Sequence, residues 1–280
     1  MNNFKRKLKT ILKTMIPLKY QPRLKSIFSF PRTAYNKIYY FGLQFKCPLC
    51  NSSLKKFHPS GFTVPVIEEK QITGAGFSFN GSCPVCHSGN RCRLLYLYLY
   101  YKTNLFNQNI KLLHVAPEYK LMSILFKQNN IDYLTADLYA ENVMVKMDIT
   151  NIQYPNNSFD AIICNHVLEH VIDDHKAMSE LYRVLRPGGW AVLQVPISLL
   201  LKETYEDFSI ISPLERERAF GQNDHVRIYA KDYKKRLEEI GFKVKVFKWI
   251  EDNTFGGLEN KYGLSETESV YFVTKNGVNK

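Results

Sequence analysis

The first 67 residues contain no aspartate or glutamate, although they contain thirteen lysines and arginines. Subtracting these thirteen from the 38 basic residues of the chain leaves 25, against 26 acidic ones. The remaining 213 residues are therefore nearly neutral, and the formal net charge of +12 belongs to the N-terminal part. A globular domain with an excess of positive charge over its whole surface is thereby excluded.

The sequence also lacks a long uninterrupted apolar run. In the N-terminal arm, apolar residues recur at helical spacing from Phe4 to Ile16, lysines and an arginine lie between them, and Pro17 follows. This pattern predicts a short basic amphipathic helix, which favours an anionic membrane surface. The helix is too charged to span a bilayer and lacks a signal-peptide core, so we expect a cytoplasmic protein, peripheral at most at the inner face of the membrane. An arm docked on its own domain, an RNA-contacting arm and an organellar presequence fit the same composition.

Four of the six cysteines form two C-x-x-C pairs. Paired knuckles of this kind suit tetrahedral zinc, since each supplies two thiolates from one tight turn. Disulfides and a redox C-x-x-C site are the alternatives, and an intracellular chain with two copies of the motif favours neither. We predict one structural zinc ion, with a hairpin near residues 74–81 between the knuckles and Cys164 in the core. The predicted ligands are Cys47, Cys50, Cys83 and Cys86.

Four apolar strand-like runs, residues 111–116, 131–137, 159–165 and 189–195, follow the cysteine segment. A helical pattern from Pro117 to Asn129 follows the first run. Strands that alternate with helices predict a parallel, doubly wound α/β sheet with its ligand beyond the carboxyl ends. Two further runs, residues 243–250 and 269–274, would complete a seven-stranded sheet whose last strand is antiparallel. A helix over residues 91–101 would join this sheet to the small zinc-ribbon-like module.

Asp137 ends the second run, about 20 residues past the first strand–helix turn, where an acid can bind both hydroxyls of a ribose. An acid after a strand is also an ordinary turn residue. Three segments follow in order: D-I-T from Asp148, F-D-A-I-I-C-N-H-V-L-E-H-V from Phe159, and L-R-P-G-G from Leu185. With this combination, the chain from about residue 105 to 275 resembles the class I S-adenosylmethionine-dependent methyltransferases of the type 11 group.

The resemblance implies that S-adenosylmethionine binds beyond the first strands. Asp137 would hold the ribose and Asp148 with Ile149 would flank the adenine, while Glu118 would meet the amino group of the methionine moiety or merely offset the helix dipole. The family usually has a glycine-rich turn after its first strand, but this chain reads H-V-A-P-E from His114, and Pro117 lacks an amide donor. A bacterial subgroup with a His-x-Ala-Pro-Glu turn beside a cysteine-rich segment is similar, so we expect a variant cofactor loop. The implied cofactor residues are Ala116, Pro117, Glu118, Asp137, Leu138, Asp148, Ile149 and Asn165.

Three histidines are candidate catalytic bases. His166 and His170 bracket Glu169 just after the third strand, close to the expected methyl position, and they could instead only shape the site. His225 follows residues 197–224, an insertion that suits a lid, and lies in the segment D-H-V-R-I-Y. His225 is the first choice for the base that deprotonates a hydroxyl acceptor.

The leading expectation is O-methylation of a saccharide or of a lipid-linked glycan intermediate. The alternatives are an RNA methyltransferase that grips RNA with its zinc module and basic arm, and a non-catalytic zinc-stapled binding protein with a degenerate cofactor loop. We expect three parts: an arm at 1–45, a zinc-binding module at 46–92 and a methyltransferase domain at 93–280.

Overall fold

The structure is a computed structural model that describes residues 32–254 and 260–277. The amphipathic helix expected between Met1 and Ile16 lies outside the described residues. Within the described ranges, no helix combines the length and the apolar character needed to cross a membrane.

The N-terminal part of the described chain begins with a helix at residues 32–39, continues with short strands around the cysteine pairs and ends in one long helix. Strands β1 and β2 form an antiparallel pair that carries the first knuckle, and β3 pairs antiparallel with β5 across residues 61–77. The prediction of a hairpin at residues 74–81 is therefore wrong, since only β5 falls there. The paired strands β3 and β5 with the segment between them are called the hairpin below. The following helix matches the predicted helix to within one residue at each end. These elements are β1 (Phe45–Cys47), β2 (Ser52–Leu54), β3 (His58–Ser60), α1 (Pro65–Glu69), β4 (Ile72–Thr73), β5 (Ser78–Ser82) and α2 (Asn90–Lys102).

A seven-stranded mixed sheet forms the rest of the fold, with the strand order β14-β15-β10-β9-β6-β7-β8. Strands β6 to β10 run parallel, whereas β15 pairs antiparallel with both of its neighbours, as the sequence predicts. The strand order reverses between β6 and β9, so a crevice opens beyond their carboxyl ends. The strands are β6 (Ile110–Val115), β7 (Ile131–Asp137), β8 (Val145–Lys146), β9 (Phe159–Asn165), β10 (Leu185–Gln194), β14 (Lys243–Lys248) and β15 (Ser269–Thr274).

Several predicted boundaries differ from the structure, and β6 lies one residue earlier than the predicted 111–116. Helix α3 covers Tyr119–Leu125 instead of Pro117 to Asn129, because Glu118 is still extended, with φ −65° and ψ 122°. Strand β10 begins at Leu185, and β14 ends at Lys248, where a short 3-10 helix takes over. The interior of the sheet is otherwise as expected, and Cys164 is fully buried in it.

Residues 197–224, expected as a lid, are ordered against the cysteine-containing part. Strand β11 (Ile197–Ser198) pairs antiparallel with β4, and β12 (Tyr205–Glu206) pairs with β13 (Arg227–Ile228). Helix α5 (Pro213–Phe220) buries Phe220 in a small apolar cluster with Val66 and Ile67. Helices α4 (Asp174–Val184) and α6 (Tyr233–Ile240) pack on the main sheet. The insertion therefore joins the N-terminal part to the edge of the sheet that carries the site.

Arg93 of α2 is fully buried and ties three segments together. Its Nε donates to the Tyr262 carbonyl at 2.8 Å and its Nη1 donates to the Ser88 carbonyl at 3.1 Å. Its Nη2 donates to the carbonyl oxygens of Asn80 and Gly263. One guanidinium thus connects the hairpin, the second knuckle and the segment that precedes β15.

Candidate functional site

The two C-x-x-C knuckles lie face to face. The Sγ atoms of Cys47 and Cys86 are 3.6 Å apart, those of Cys50 and Cys83 are 3.8 Å apart, and all four sulfur atoms lie within 4.8 Å of one another. All four cysteines are free thiols. The arrangement matches the ligand set of a tetrahedral thiolate metal site, because four sulfur atoms converge on one point.

The knuckles repeat the same local geometry. In each, the residue after the second cysteine has a positive φ, 55° at Asn51 and 61° at His87. A serine follows, and its Oγ lies 3.2 Å from the sulfur of that second cysteine: Ser52 beside Cys50 and Ser88 beside Cys86. Hydrogen bonds of this kind orient metal ligands. The converging group consists of these four cysteines alone among the described residues, and the neighbouring His87 is exposed.

The carboxyl ends of β7, β6 and β9 carry a continuous polar chain. The Tyr133 hydroxyl is 2.8 Å from His114 Nδ1, and His114 Nε2 is 3.0 Å from Glu118 Oε2. Asn165 Nδ2 donates to Glu118 Oε1 at 3.2 Å, and Asn165 Oδ1 is buried without a partner among the described residues. Burial alone would raise the pKa of Glu118, but hydrogen bonds from His114 and Asn165 lower it below its ordinary value. Glu118 is therefore held as a carboxylate at the reversal of the strand order.

The glycine-free turn has an unusual backbone that explains why Glu118 reaches this position. Ala116 adopts φ 47°, a left-handed conformation that residues other than glycine rarely take, while its amide donates to the Ala136 carbonyl at 2.8 Å. Pro117 follows, and Glu118 is the N-cap of α3 without a side-chain cap bond. Its carboxylate turns toward His114 and Asn165, so it does more than offset the dipole of α3.

The remaining predicted cofactor residues lie at the ends of β7 and β8. Asp137 Oδ1 accepts the amides of Tyr139 and Ala140 at 2.7 Å each, which closes a turn after β7. Leu138 is 47% exposed beside it. Asp148 is exposed and accepts hydrogen bonds from Thr150, whereas Ile149 is buried in the core. Asp137, Leu138 and Asp148 are accessible at this edge, but the side chain of Ile149 packs inward.

A cavity of about 700 Å³ adjoins the end of β9. One wall comes from the hairpin and includes Phe77 and Phe79, and the other walls are residues 166–170, residues 222–225 and the segment before β15. The neighbouring residues Asn165 and His166 belong to the polar chain and to this pocket, respectively. We call this cavity the acceptor pocket.

The three predicted histidines gather around Glu169 on one wall of the acceptor pocket. His166 Nδ1 lies 3.3 Å from Glu169 Oε1, and the rings of His170 and His225 meet edge to face, with centroids 4.7 Å apart. Glu169 is 1% exposed, and its Oε2 has no hydrogen-bond partner among the described residues. Burial alone would raise the pKa of Glu169, but the three histidines lower it. Burial lowers the pKa of His225, so its ring favours the neutral form.

Glu169, His170 and His225 also offer one ligand atom each within 4.8 Å of one another. A carboxylate oxygen and two imidazole nitrogens are a ligand set that divalent transition metals accept. His170 Nδ1 lies 3.2 Å from Asp224, which would orient that ring. Two kinds of chemistry are therefore open to this wall: His225 can act as a base, or Glu169, His170 and His225 can bind a cation.

Sequence analysis missed two residues of this region. Arg227 is 1% exposed and donates to the carbonyl oxygens of Leu168, Val171 and Ile172, so it holds the loop that carries Glu169 and His170. In the segment D-H-V-R-I-Y, the sequence predicts a functional role for His225 alone. Glu268 is 4% exposed and lines the acceptor pocket from the segment before β15. No motif in the sequence distinguishes Glu268 from a turn residue.

Comparison with known proteins identifies the central segment. Residues 108–193 match the family model described as a methyltransferase domain. The demethylmenaquinone methyltransferase of Mycobacterium marinum is 29% identical over 85 residues, which cover 29% of this chain and 37% of that protein. The ubiquinone/menaquinone biosynthesis C-methyltransferase UbiE of a Marinomonas species is 26% identical over 112 residues, which cover 35% and 45% of the two chains. The chain thus spans less than half the length of both relatives.

A solved S-adenosylmethionine-dependent methyltransferase from Mesorhizobium loti aligns with 66% of this chain and 97% of its own, at 12% identity and a TM-score of 0.44. The family match covers β6, β7, β9 and most of β10, the strands that carry the Glu118 chain. On this match and the seven-stranded mixed sheet, residues 108–193 are a methyltransferase domain of the S-adenosylmethionine-dependent class.

Proposed function

We propose that the protein transfers the methyl group of S-adenosylmethionine to an oxygen of a small acceptor bound in the acceptor pocket. The observation that carries the proposal is the end of β9, where Asn165 bonds to Glu118 and the next residue, His166, lines the pocket. Cofactor and acceptor would meet there. Methyl transfer requires such alignment of the acceptor with the sulfonium methyl.

The proposed cofactor contacts follow from the polar chain. The Glu118 carboxylate suits the amino group of the methionine moiety, and Asn165 Oδ1, buried without a partner, could accept a further donor. Asp137 keeps one carboxylate oxygen on its own turn, which leaves the other for a ribose hydroxyl. Leu138 and Asp148 would flank the adenine, with Ile149 supporting them from the core.

The walls of the pocket support a saccharide acceptor. The rings of Phe62, Phe77 and Phe79 are 45%, 50% and 80% exposed, and serine and asparagine side chains of the same hairpin lie between them. A sugar ring has apolar faces that pack on aromatic rings and hydroxyl groups that bond to such side chains. By its name, the UbiE relative acts in quinone biosynthesis, but it aligns with only 35% of this chain. The methyltransferase-domain match at residues 108–193 contains neither the hairpin nor the segment before β15. The acceptor of that relative is therefore a weak guide to this one.

We propose two alternative roles for the wall around Glu169. They exclude each other, because His225 cannot accept a proton and bind a cation at the same time. In the first, neutral His225 takes the proton of the acceptor hydroxyl, with His166 and His170 shaping the site. In the second, Glu169, His170 and His225 bind a divalent cation that holds the acceptor oxygen. Calorimetric titration with Mn²⁺ decides between them: binding that Glu169→Gln abolishes supports the cation, and its absence supports the base.

The four cysteines would bind structural zinc, and the basic arm would hold the protein at an anionic membrane surface. Deleting residues 1–16 should abolish binding to anionic vesicles and leave cofactor affinity intact, since near-surface lysine or arginine contributes about 1 kcal/mol each. If the deletion removes RNA binding instead, the protein is better described as an RNA methyltransferase.

Calorimetry with S-adenosylmethionine tests the proposed function itself. Stoichiometric binding that Glu118→Gln weakens would support it. A folded chain that binds no cofactor would point to the non-catalytic alternative, a zinc-stapled binding protein.

A further inference from the structure

Glu268 is a buried acid without a cationic partner. Its contacts are long: Thr73 Oγ1 lies 3.5 Å from Oε2, and Gln194 Nε2 lies 3.5 Å from Oε1. Within residues 32–254 and 260–277, no lysine or arginine forms an ion pair with it. Burying a carboxylate in this way costs free energy unless another group compensates for the charge. A buried acid without such compensation at a cavity wall is a candidate binding group.

The backbone of Gly74 packs directly against Glu268 and His166. A methyl group added at Gly74 would lie 3.2 Å and 3.3 Å from the two Glu268 carboxylate oxygens and 3.3 Å from His166 Cε1. These distances are tighter than an ordinary side chain allows, so the glycine lets the acid and the His166 ring lie side by side in the wall of the pocket. His166 Nε2 is buried and has no hydrogen-bond partner among the described residues. A weakly bonded carboxylate and an unpartnered imidazole nitrogen thus line the same pocket.

Arg91, a basic residue of the same pocket wall, is already hydrogen-bonded to another group. Arg91 donates from Nη1 to the Gly74 carbonyl at 2.5 Å, which fixes the glycine without neutralising Glu268. Burial raises the pKa of Glu268, and the charges of His166 and Arg91 offset this only in part. Glu169 adds a second buried carboxylate to the pocket, although the chain as a whole carries a net charge of +12. The pocket therefore suits a positively charged ligand group better than an anionic one.

We propose that Glu268, beside His166 and Gly74, forms a subsite that binds a primary ammonium group of the acceptor. With the saccharide of the proposed function, on which this inference rests, the acceptor class is an amino sugar. The ammonium donates to the carboxylate oxygens, whose present contacts are at the limit of hydrogen bonding. The methylated oxygen lies elsewhere on the same molecule.

The test uses two pairs of probes that differ only in the amine, glucosamine against glucose and benzylamine against benzyl alcohol. Each is titrated by ligand-observed NMR into the full-length protein saturated with S-adenosylhomocysteine. We expect each amine to bind about tenfold more tightly than its hydroxyl counterpart, because it gains one charge-assisted hydrogen bond. Glu268→Gln should remove this preference. Glu266→Gln, at an exposed acid on the same pocket, should retain the preference.

The outcomes separate the two proposals. Amine preference in the benzyl pair without binding of either sugar would overturn the saccharide acceptor and leave the ammonium subsite supported. If glucosamine and glucose bind with equal affinity, the ammonium subsite is overturned and the saccharide acceptor stays supported. The subsite also fails if neither amine binds, or if Glu268→Gln keeps the preference. Thermal unfolding of each variant serves as the folding check, and Gln removes an uncompensated charge, so it should not destabilise the protein.

Discussion

The cysteine cluster and the acceptor pocket lie in the same chain but are assembled in opposite ways. The cluster comes from two short segments, 47–52 and 83–88, that repeat one backbone geometry and one cysteine–serine contact. The pocket is built from the hairpin, the end of β9, the insertion and the segment before β15. A local site depends on its own side chains, whereas the pocket depends on residues that hold distant segments together. Four changes can break or sharpen this contrast.

The largest expected effect is that of Cys83→Ser in the cluster. Structural zinc stabilises small cysteine sites by about 10 kcal/mol or more, and removing one thiolate forfeits most of this. Metal analysis should return about one zinc per wild-type chain and none for the variant, and exposed His87→Ala should keep its metal. Strand β4 lies between the two knuckles and pairs with β11 of the insertion. When the cluster is lost, we expect this pairing to be lost with it, and the hairpin wall of the pocket as well. A metal-free wild type with reduced thiols and an ordered N-terminal part would contradict the zinc site.

Arg227→Met tests the pocket by removing one of the residues that hold it. The guanidinium donates to three carbonyl oxygens and lies 3.3 Å from Glu206. Its loss leaves these acceptors without a donor. Breaking a buried network of this kind costs about 3 kcal/mol of unfolding free energy. Urea denaturation measures it, with the exposed Arg218→Met as the control. Equal stability of the two variants would mean that the loop at Glu169 is held by other contacts.

Asp137→Ala tests the cofactor end of the sheet, where the interaction is with a ligand. A hydrogen bond to a charged group is worth about 2 kcal/mol, so S-adenosylmethionine should bind correspondingly less tightly by calorimetry. Asp132, at the other end of β7 with a side chain 75% exposed, supplies the control Asp132→Ala. Unchanged affinity in a folded Asp137 variant would remove this residue from the cofactor site.

The smallest expected effect is the pH dependence contributed by His225. Burial lowers its pKa in the folded state, so the unfolded chain binds the proton more readily. The stability contribution is therefore present above the ordinary value of 6.5 and is lost as the pH falls toward the lowered one. Unfolding free energies between about pH 5 and pH 8 should decrease less steeply toward acid in His225→Asn than in the wild type. The exposed His175→Asn should keep the wild-type slope.

The parts predicted from the sequence are those with local causes. The periodicity of β7, β9 and β15 gave their limits to the residue, and the C-x-x-C spacing gave four sulfur atoms that the structure brings together. Glu268 could not be found in this way, because its partner Thr73 lies 195 positions away. The reach of α3 was overestimated, since helical periodicity does not register the extended Glu118 that the Ala116 turn imposes.

The contacts of Arg93 also determine when the protein can finish folding. Its bonds to Asn80 and Ser88 join residues that leave the ribosome early, but its bonds to Tyr262 and Gly263 need segments synthesised about 170 residues later. Both cysteine knuckles are complete long before that point. The four cysteines can therefore come together before residues 260–268 are synthesised, whereas the wall that carries Glu268 can form only after them.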